Sequence, residues 1–177
     1  MKRISKILSV IAVFSITGSA AFADRDERLK ETSEEAIVIL KDADSKLEGW
    51  FEDSYGYAIF PNVGKAGIGI GGAHGKGEVY EQGEFIGEAR LSQGSFGFQL
   101  GVQMYSEVIF FKEKANLQNF KESRFTLSAQ ITAVAAAEGA AANAKYEYDV
   151  AVFTVAKGGL MYEASVGGQK FKFIPQD

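Results

Sequence analysis

The residues whose types and spacing could do chemistry gather between Ala58 and Gly77, AIFPNVGKAGIGIGGAHGKG, where glycines alternate with aliphatic residues and Lys65, His74 and Lys76 lie among them. Gly67 to Gly72 satisfies GxGxxG, but the dinucleotide fingerprint must open a helix, and another glycine-rich stretch, Ala73-His74-Gly75-Lys76-Gly77, follows instead. Gly75-Lys76 superficially matches a phosphate loop, yet Ile70 stands where its first glycine belongs and Gly77 where Ser or Thr belongs. No cofactor is expected. With no Cys and one His, His74, a histidine-based triad would run through a single loop residue, and a zinc site of thiolates and imidazoles cannot be assembled. Glu31, Glu34 and Glu35 fall on a solvated helix face, and Glu78, Glu81, Glu84 and Glu88 cluster around a turn. A general acid needs a carboxylate in a partly apolar cleft, and none of these is singled out for one. Neither a catalytic residue nor a metal ligand is expected.

The glycines remain to be explained. Gly67, Gly69 and Gly71 recur at period two, so on a strand they share one face, bare of side chains. Glycine weakens a strand interior, so a whole face of it implies close approach, either by another part of the protein or by a ligand. Both readings stand at this point.

The elements that must position this stretch begin with a leader. Lys2, Arg3 and Lys6 precede an apolar run from Ile7 to Ile16 and small residues ending in Ala21-Phe22-Ala23, the three-part pattern of a secretory signal peptide. The run is too short to span a bilayer, and Asp24-Arg25-Asp26-Glu27 follows at once, so cleavage after Ala23 and export, with the periplasm as compartment, are expected. Residues 24–177 then form a single domain. The leader holds three basic and no acidic residues, which leaves 16 Lys and Arg against 23 Asp and Glu beyond it, a net charge of −7. An acidic chain argues against a general nucleic-acid binder. Without cysteine, the exported domain must be stable without disulfides.

Asp24 to Glu48 carries helical periodicity through Leu29, Ser33, Ala36, Leu40, Ala43 and Leu47, with Gly49 as its expected stop and a capping-box match at Thr32 to Glu35. Ala58-Ile59-Phe60 reads as a strand ended by Pro61. Gly75-Lys76-Gly77 reads as a link to a hairpin in which Glu78-Val79-Tyr80 and Glu84-Phe85-Ile86 flank Glu81-Gln82-Gly83. From Ser95 to Phe110, Phe96, Phe98, Leu100, Val102, Met104, Val108 and Phe110 alternate with small and polar residues, a long strand or strand pair with one buried face. Asn116 to Arg124 is expected to be a short helix capped by Asn116, with Leu117 and Phe120 inward. Ala129 to Ala144 is compatible with helix or with closely packed strands. Tyr146 to Ala156, Leu160 to Val166 and Gln169 to Phe173 return to strand. The expected class is α+β: a bent antiparallel sheet, partly barrel-like, with an N-terminal amphipathic helix and short additional helices.

Tyr57-Ala58-Ile59-Phe60-Pro61-Asn62-Val63-Gly64-Lys65-Ala66-Gly67, Gly71-Gly72, Gly75-Lys76-Gly77 and Gly94-Ser95-Phe96-Gly97-Phe98-Gln99-Leu100-Gly101 together resemble the hallmark sequence of SYLF domains. Gly158-Gly159-Leu160-Met161 and Val166-Gly167-Gly168-Gln169 resemble that family's ending. The resemblance implies a non-enzymatic module that binds phospholipid through a basic amphipathic helix and the adjacent domain surface. The helix of this chain is acidic, so lipid binding carries over as a class and phosphoinositide specificity does not. Lys65, His74 and Lys76, at the ends of the glycine strand, are the expected lipid-binding residues, since backbone donors and cations there could hold a phosphate. The expected partner is a phospholipid or membrane surface, with a structural or protein-interaction module of the cell envelope as the alternative.

Overall fold

The computed structural model describes the backbone of residues 16–127, 131–157, 166 and 168–176, and the side chains of all of these except 16–26, 67–70 and 95–101. Two long strands set the architecture: β1 (Gly56–Glu81) has 26 residues and β2 (Glu84–Phe111) has 28. They pair antiparallel around Gln82 and Gly83, both at positive φ (52° and 83°), as a two-residue hairpin turn requires. At 3.3 Å per residue a straight β1 would run about 85 Å. A chain of this length packs into a body roughly 40 Å across, so the hairpin has to bend.

It doubles back on itself. Tyr57 and Tyr80 stack with ring centroids 4.8 Å apart, and the Gln82 N–H donates to the Tyr55 carbonyl at 2.9 Å. A Cβ on Gly77 would collide with the Ile59 carbonyl oxygen, and one on Gly75 would meet Val63 Cγ2 at 3.1 Å. These contacts are centred on Ile68 and its neighbours, which places the apex of the bend in the glycine stretch. There the ladder pairs Gly67 with Gly101, Gly69 with Gly97 and Gly72 with Gly94, and its register slips between Gly67 and Gly69. The second glycine series thus lies in register with the first.

The remaining strands add to either half of the folded hairpin. β4 (Val150–Ala156) pairs with Tyr105–Phe111 of β2 and carries β3 (Val134–Ala135) in parallel on its far side. β5 (Lys170–Pro175) pairs with Gly87–Ser92 of β2. Counted by halves of β1 and β2, the described residues form a mixed sheet of seven strand segments that is not closed into a barrel. The expected α+β class is borne out, with the β3/β4 pair the exception to an antiparallel sheet. The space between the two halves is filled by Phe60, ahead of a register shift in β1, and by odd-numbered side chains beyond that shift and along β2, among them Val63, Val79, Leu91, Ile109 and Phe111. Ile59, Val108 and Phe110 face the other way, under α1 (Ile16–Ala43), α2 (Leu47–Asp53) and α4 (Ala140–Asn143). Trp50 closes this second layer against Phe110, Tyr146 and Phe153 and donates from Nε1 to the Ala141 carbonyl at 3.2 Å.

Several local expectations are corrected. Gly49 lies inside α2; the first helix ends before Asp44, whose buried carboxylate accepts the Ala141 N–H at 2.7 Å. Thr32 marks no start, because its hydroxyl donates back to the Arg28 and Leu29 carbonyls within α1. Pro61 does not end the strand. It sits in the register shift between Phe60 and Val63, on the half of β1 that forms an edge of the sheet and needs no donor, and its carbonyl accepts the Ser106 hydroxyl at 2.8 Å. Gly75-Lys76-Gly77 is no linker but part of β1. The short helix is α3 (Lys114–Lys121); Leu117 and Phe120 face inward as expected, but Glu113 is its N-cap and Asn116 donates to the Tyr148 carbonyl. Within 129–144 the described residues are mostly loop, with only β3 and α4 regular. All but the last residue of the expected strand Leu160 to Val166, and the first 15 residues of the expected leader, lie outside the described residues.

Candidate functional site

Sheet pairing turns separate cations into one face. On the outer surface of the distal half, Lys76 of β1 stands opposite Arg90 of β2, and Arg90 stands opposite Lys172 of β5. Two residues along, His74, Ser92 and Lys170 form the next row in the same register. All six side chains are exposed. They line one side of a shallow groove of about 980 Å³ whose floor includes Gly75 and Leu91. Directly opposed side chains in a sheet lie about 5 Å apart at Cβ, and like charges placed so are destabilising. The next row towards the hairpin turn on this face carries carboxylates, Glu78 of β1 opposite Glu88 of β2, with Glu78 buried. In a chain of net charge −4 the two rows concentrate positive charge on one exposed face.

The structure brings together two of the three expected site residues and removes the third. His74 and Lys76 stand in adjacent rows of the cationic face. Lys65 is odd-numbered on the same strand, so its side chain turns to the inner face, where it is only 8 % exposed and burial lowers the pKa of its ammonium. It cannot share a ligand with the other two. Gly71 is half-buried, while Gly67 and Gly69 belong to the stretch whose surroundings lie outside the described residues. Nearby, Gly75 and Gly77 are covered by the protein itself, as their contacts with Val63, Ile59 and Phe60 show.

Arg90, Lys170 and Lys172 were not legible as site residues from composition. A local signal exists in Lys170-Phe171-Lys172-Phe173, where cations and aromatics alternate at period two, but only the pairing of β5 with β2 shows which strand those lysines join. A second polar group lies inside. Glu107 is fully buried between the sheet halves, beside Tyr105, and stands opposite Thr154 in the ladder. Gln169 Nε2 donates to Glu107 Oε2 at 3.0 Å. Burial pushes the Glu107 carboxyl up to about 7, against the hydrogen bond from Gln169.

Among known proteins, residues 92–174 match the family model described as Ysc84, Las17-binding protein actin regulator. The matched region runs from the middle of β2 to β5 and contains Ser92, Lys170 and Lys172. Beta cell expansion factor A of Aeromonas veronii is 27 % identical over 146 residues, which cover 77 % of this chain and 52 % of that protein. The chain spans about half the length of this curated relative.

Proposed function

We propose that this chain, which carries the SYLF-domain pattern of the Ysc84 family over residues 92–174, is a non-enzymatic, exported domain that binds phospholipid at anionic headgroups. The observation that carries the reading is the row Lys76, Arg90, Lys172, three cations held opposite one another on exposed strands. A phosphate placed over that row, flanked by His74 and Lys170, meets fixed positive charge on a rigid sheet, where side chains are held without ordering a loop. Export is supported by the leader pattern ending at Ala23, and N-terminal sequencing of the exported protein should then begin at Asp24. A non-catalytic role is supported by the burial of Glu107, the carboxylate whose pKa would otherwise suit acid–base chemistry.

Sedimentation with phosphatidylcholine vesicles, with and without phosphatidylglycerol, tests the reading. The protein should pellet with the anionic vesicles at low salt and lose most of that binding at about 1 M salt, where the Debye length falls to about 3 Å. Lys76→Glu and Lys172→Glu together should abolish it. Failure of the unaltered protein to pellet at low salt sinks the proposal.

A second reading, an interaction module of the envelope without a lipid ligand, has its own support. Gly56, Gly75 and Gly77 are filled by the protein's own backbone and side chains, so close packing accounts for them without a ligand. The family description also names a protein partner rather than a lipid. On this reading the cationic face meets an acidic protein surface, and vesicles of either composition leave the protein in the supernatant.

A further inference from the structure

The apolar stripe of β2 runs on past the helices that cover it. Phe110 and Val108 are buried under the helical layer, yet Met104 and Val102, on the same face of the same strand, are 41 % and 77 % exposed. Their ladder partners Gly64 and Ala66 carry too little side chain to cover them. The sequence around this surface is free of charge. From Ala66 to Gly75 and from Leu91 to Ser106 neither strand has an Asp, Glu, Lys or Arg, in a chain that is 24 % charged. Those two uncharged stretches face each other in the ladder and together form the apex of the folded hairpin.

The charges bordering the apex on its outer surface are basic. Lys76 and Arg90 close the uncharged stretches on the distal side, with Lys170 on the adjoining strand. On the proximal side Lys157 follows β4, its backbone N–H donating to the Met104 carbonyl at 2.9 Å and its ammonium to Asn62 Oδ1 at 2.9 Å. Lys65 also ends an uncharged stretch, but from the inner face. The one carboxylate in the corresponding position, Glu107, is fully buried and presents no negative charge to the outside. An uncharged, glycine-rich tip ringed outside by lysine and arginine has the charge pattern of an element seated in a membrane interface, where apolar groups enter the acyl boundary and cations meet the headgroups. A soluble partner with an acidic surface would complement the cations and leave Val102 and Met104 uncovered.

We infer that the apex of the β1–β2 hairpin inserts into an anionic bilayer, with Val102 and Met104 in the acyl boundary and the row Lys76, Arg90, Lys172 at the headgroups. The inference rests on the lipid-binding reading and adds a depth and an orientation to it. The bend supplies the shape. Because the hairpin doubles back at paired glycines, the two strands stay hydrogen-bonded to each other through the tip, while β4 and β5 stop at Tyr105 and Ser92 and add no strand to it. The binding that results has a salt-sensitive part, from the cations, and a salt-resistant part, from the apolar tip.

The chain has no cysteine, so one introduced thiol reports from one place. An environment-sensitive dye on Val102→Cys should shift to the blue and brighten several-fold on addition of phosphatidylglycerol-containing vesicles, and spin-labelled acyl chains should quench it. The same dye on Glu52→Cys, exposed in α2, should do neither. Val102→Asp, a change at an exposed position, should weaken vesicle binding at least tenfold at high salt while leaving the melting temperature unchanged. Sedimentation with vesicles but no change at position 102 overturns insertion and leaves headgroup binding standing. No sedimentation overturns both. A blue shift without vesicles, accompanied by a doubled mass in solution, overturns insertion in favour of self-association through the tip.

Discussion

Lys76 and Arg90 face each other directly across the β1–β2 ladder, with Lys172 completing the row. Opposed like charges cost a sheet a few tenths of a kcal/mol to about 1 kcal/mol. Arg90→Gln, in the middle of the row, relieves two such contacts. It should raise stability by about that amount at low salt, the gain should vanish at high salt, and vesicle binding should fall. Urea denaturation at two salt concentrations measures the first part and sedimentation the second. A loss of stability on neutralising Arg90 would show that the row is held together by other contacts and is not a site maintained against its own repulsion.

The glycines separate into those that the fold requires and those that it tolerates. A side chain on Gly77 would strike the Ile59 carbonyl and come within 2.6 Å of the Phe60 ring, both part of the same strand folded back. Gly77→Val should therefore cost on the order of 3 kcal/mol, the range for overpacking a filled site, or prevent folding. Gly94, at the apex, meets nothing within 4 Å, so Gly94→Ala should stay within about 0.5 kcal/mol of the parent. Melting temperatures of the two variants, compared side by side, decide it. Equal losses at both positions would contradict a bend built on the inner glycines.

Much of this was legible in the sequence, and the failures share a cause. Period two marked β2, the inward positions Leu117 and Phe120 marked α3, and the motif set around Tyr57 to Gly77 marked the family resemblance. A linear reading has no means of seeing a strand fold onto itself, so Pro61 and Gly75-Lys76-Gly77 looked like ends of elements when they are parts of β1. The same blindness hid the cationic face, because Lys76, Arg90 and Lys172 are distant in sequence and become neighbours only through register. Lys65 is the instructive error. Its parity alone separates it from His74 and Lys76 on a continuous strand.

That correction is testable. Lys65 is almost wholly buried, and burial lowers its pKa because it disfavours the poorly solvated ammonium. Lys65→Met should stabilise the protein by on the order of 1 kcal/mol at pH 7. The gain should shrink as pH rises towards the ordinary lysine value of 10.5, because the folded chain loses this proton first, and should be gone above it, where folded and unfolded wild-type chains are both neutral at this position. Vesicle binding should be unaffected. Loss of binding in this variant, with Lys76→Met as the comparison, would return Lys65 to the site.

Glu107 sets the pH dependence of the core. Its carboxyl titrates near 7 in the folded protein against an ordinary value of 4.5, because burial disfavours the charge. Below 4.5 it is protonated in both states and the folded state carries no penalty. As pH rises towards 7 the unfolded chain ionises first, and stability is lost progressively, by about 3 kcal/mol once the folded group has also ionised. Protonation also improves the local hydrogen bonding. Among the described residues, Glu107 Oε1 and Gln169 Oε1 are both buried acceptors without a donor, and a proton on the carboxyl gives one of them something to donate. Glu107→Gln keeps the shape and removes the titration. It should be more stable than wild type at pH 8 by up to that amount, and the difference should close towards pH 4. Glu78, also raised by burial, slopes the same way in both proteins and cancels in the comparison. Urea midpoints at pH 4, 6 and 8 give the curves, and parallel curves for the two proteins would mean that Glu107 stays charged inside the fold.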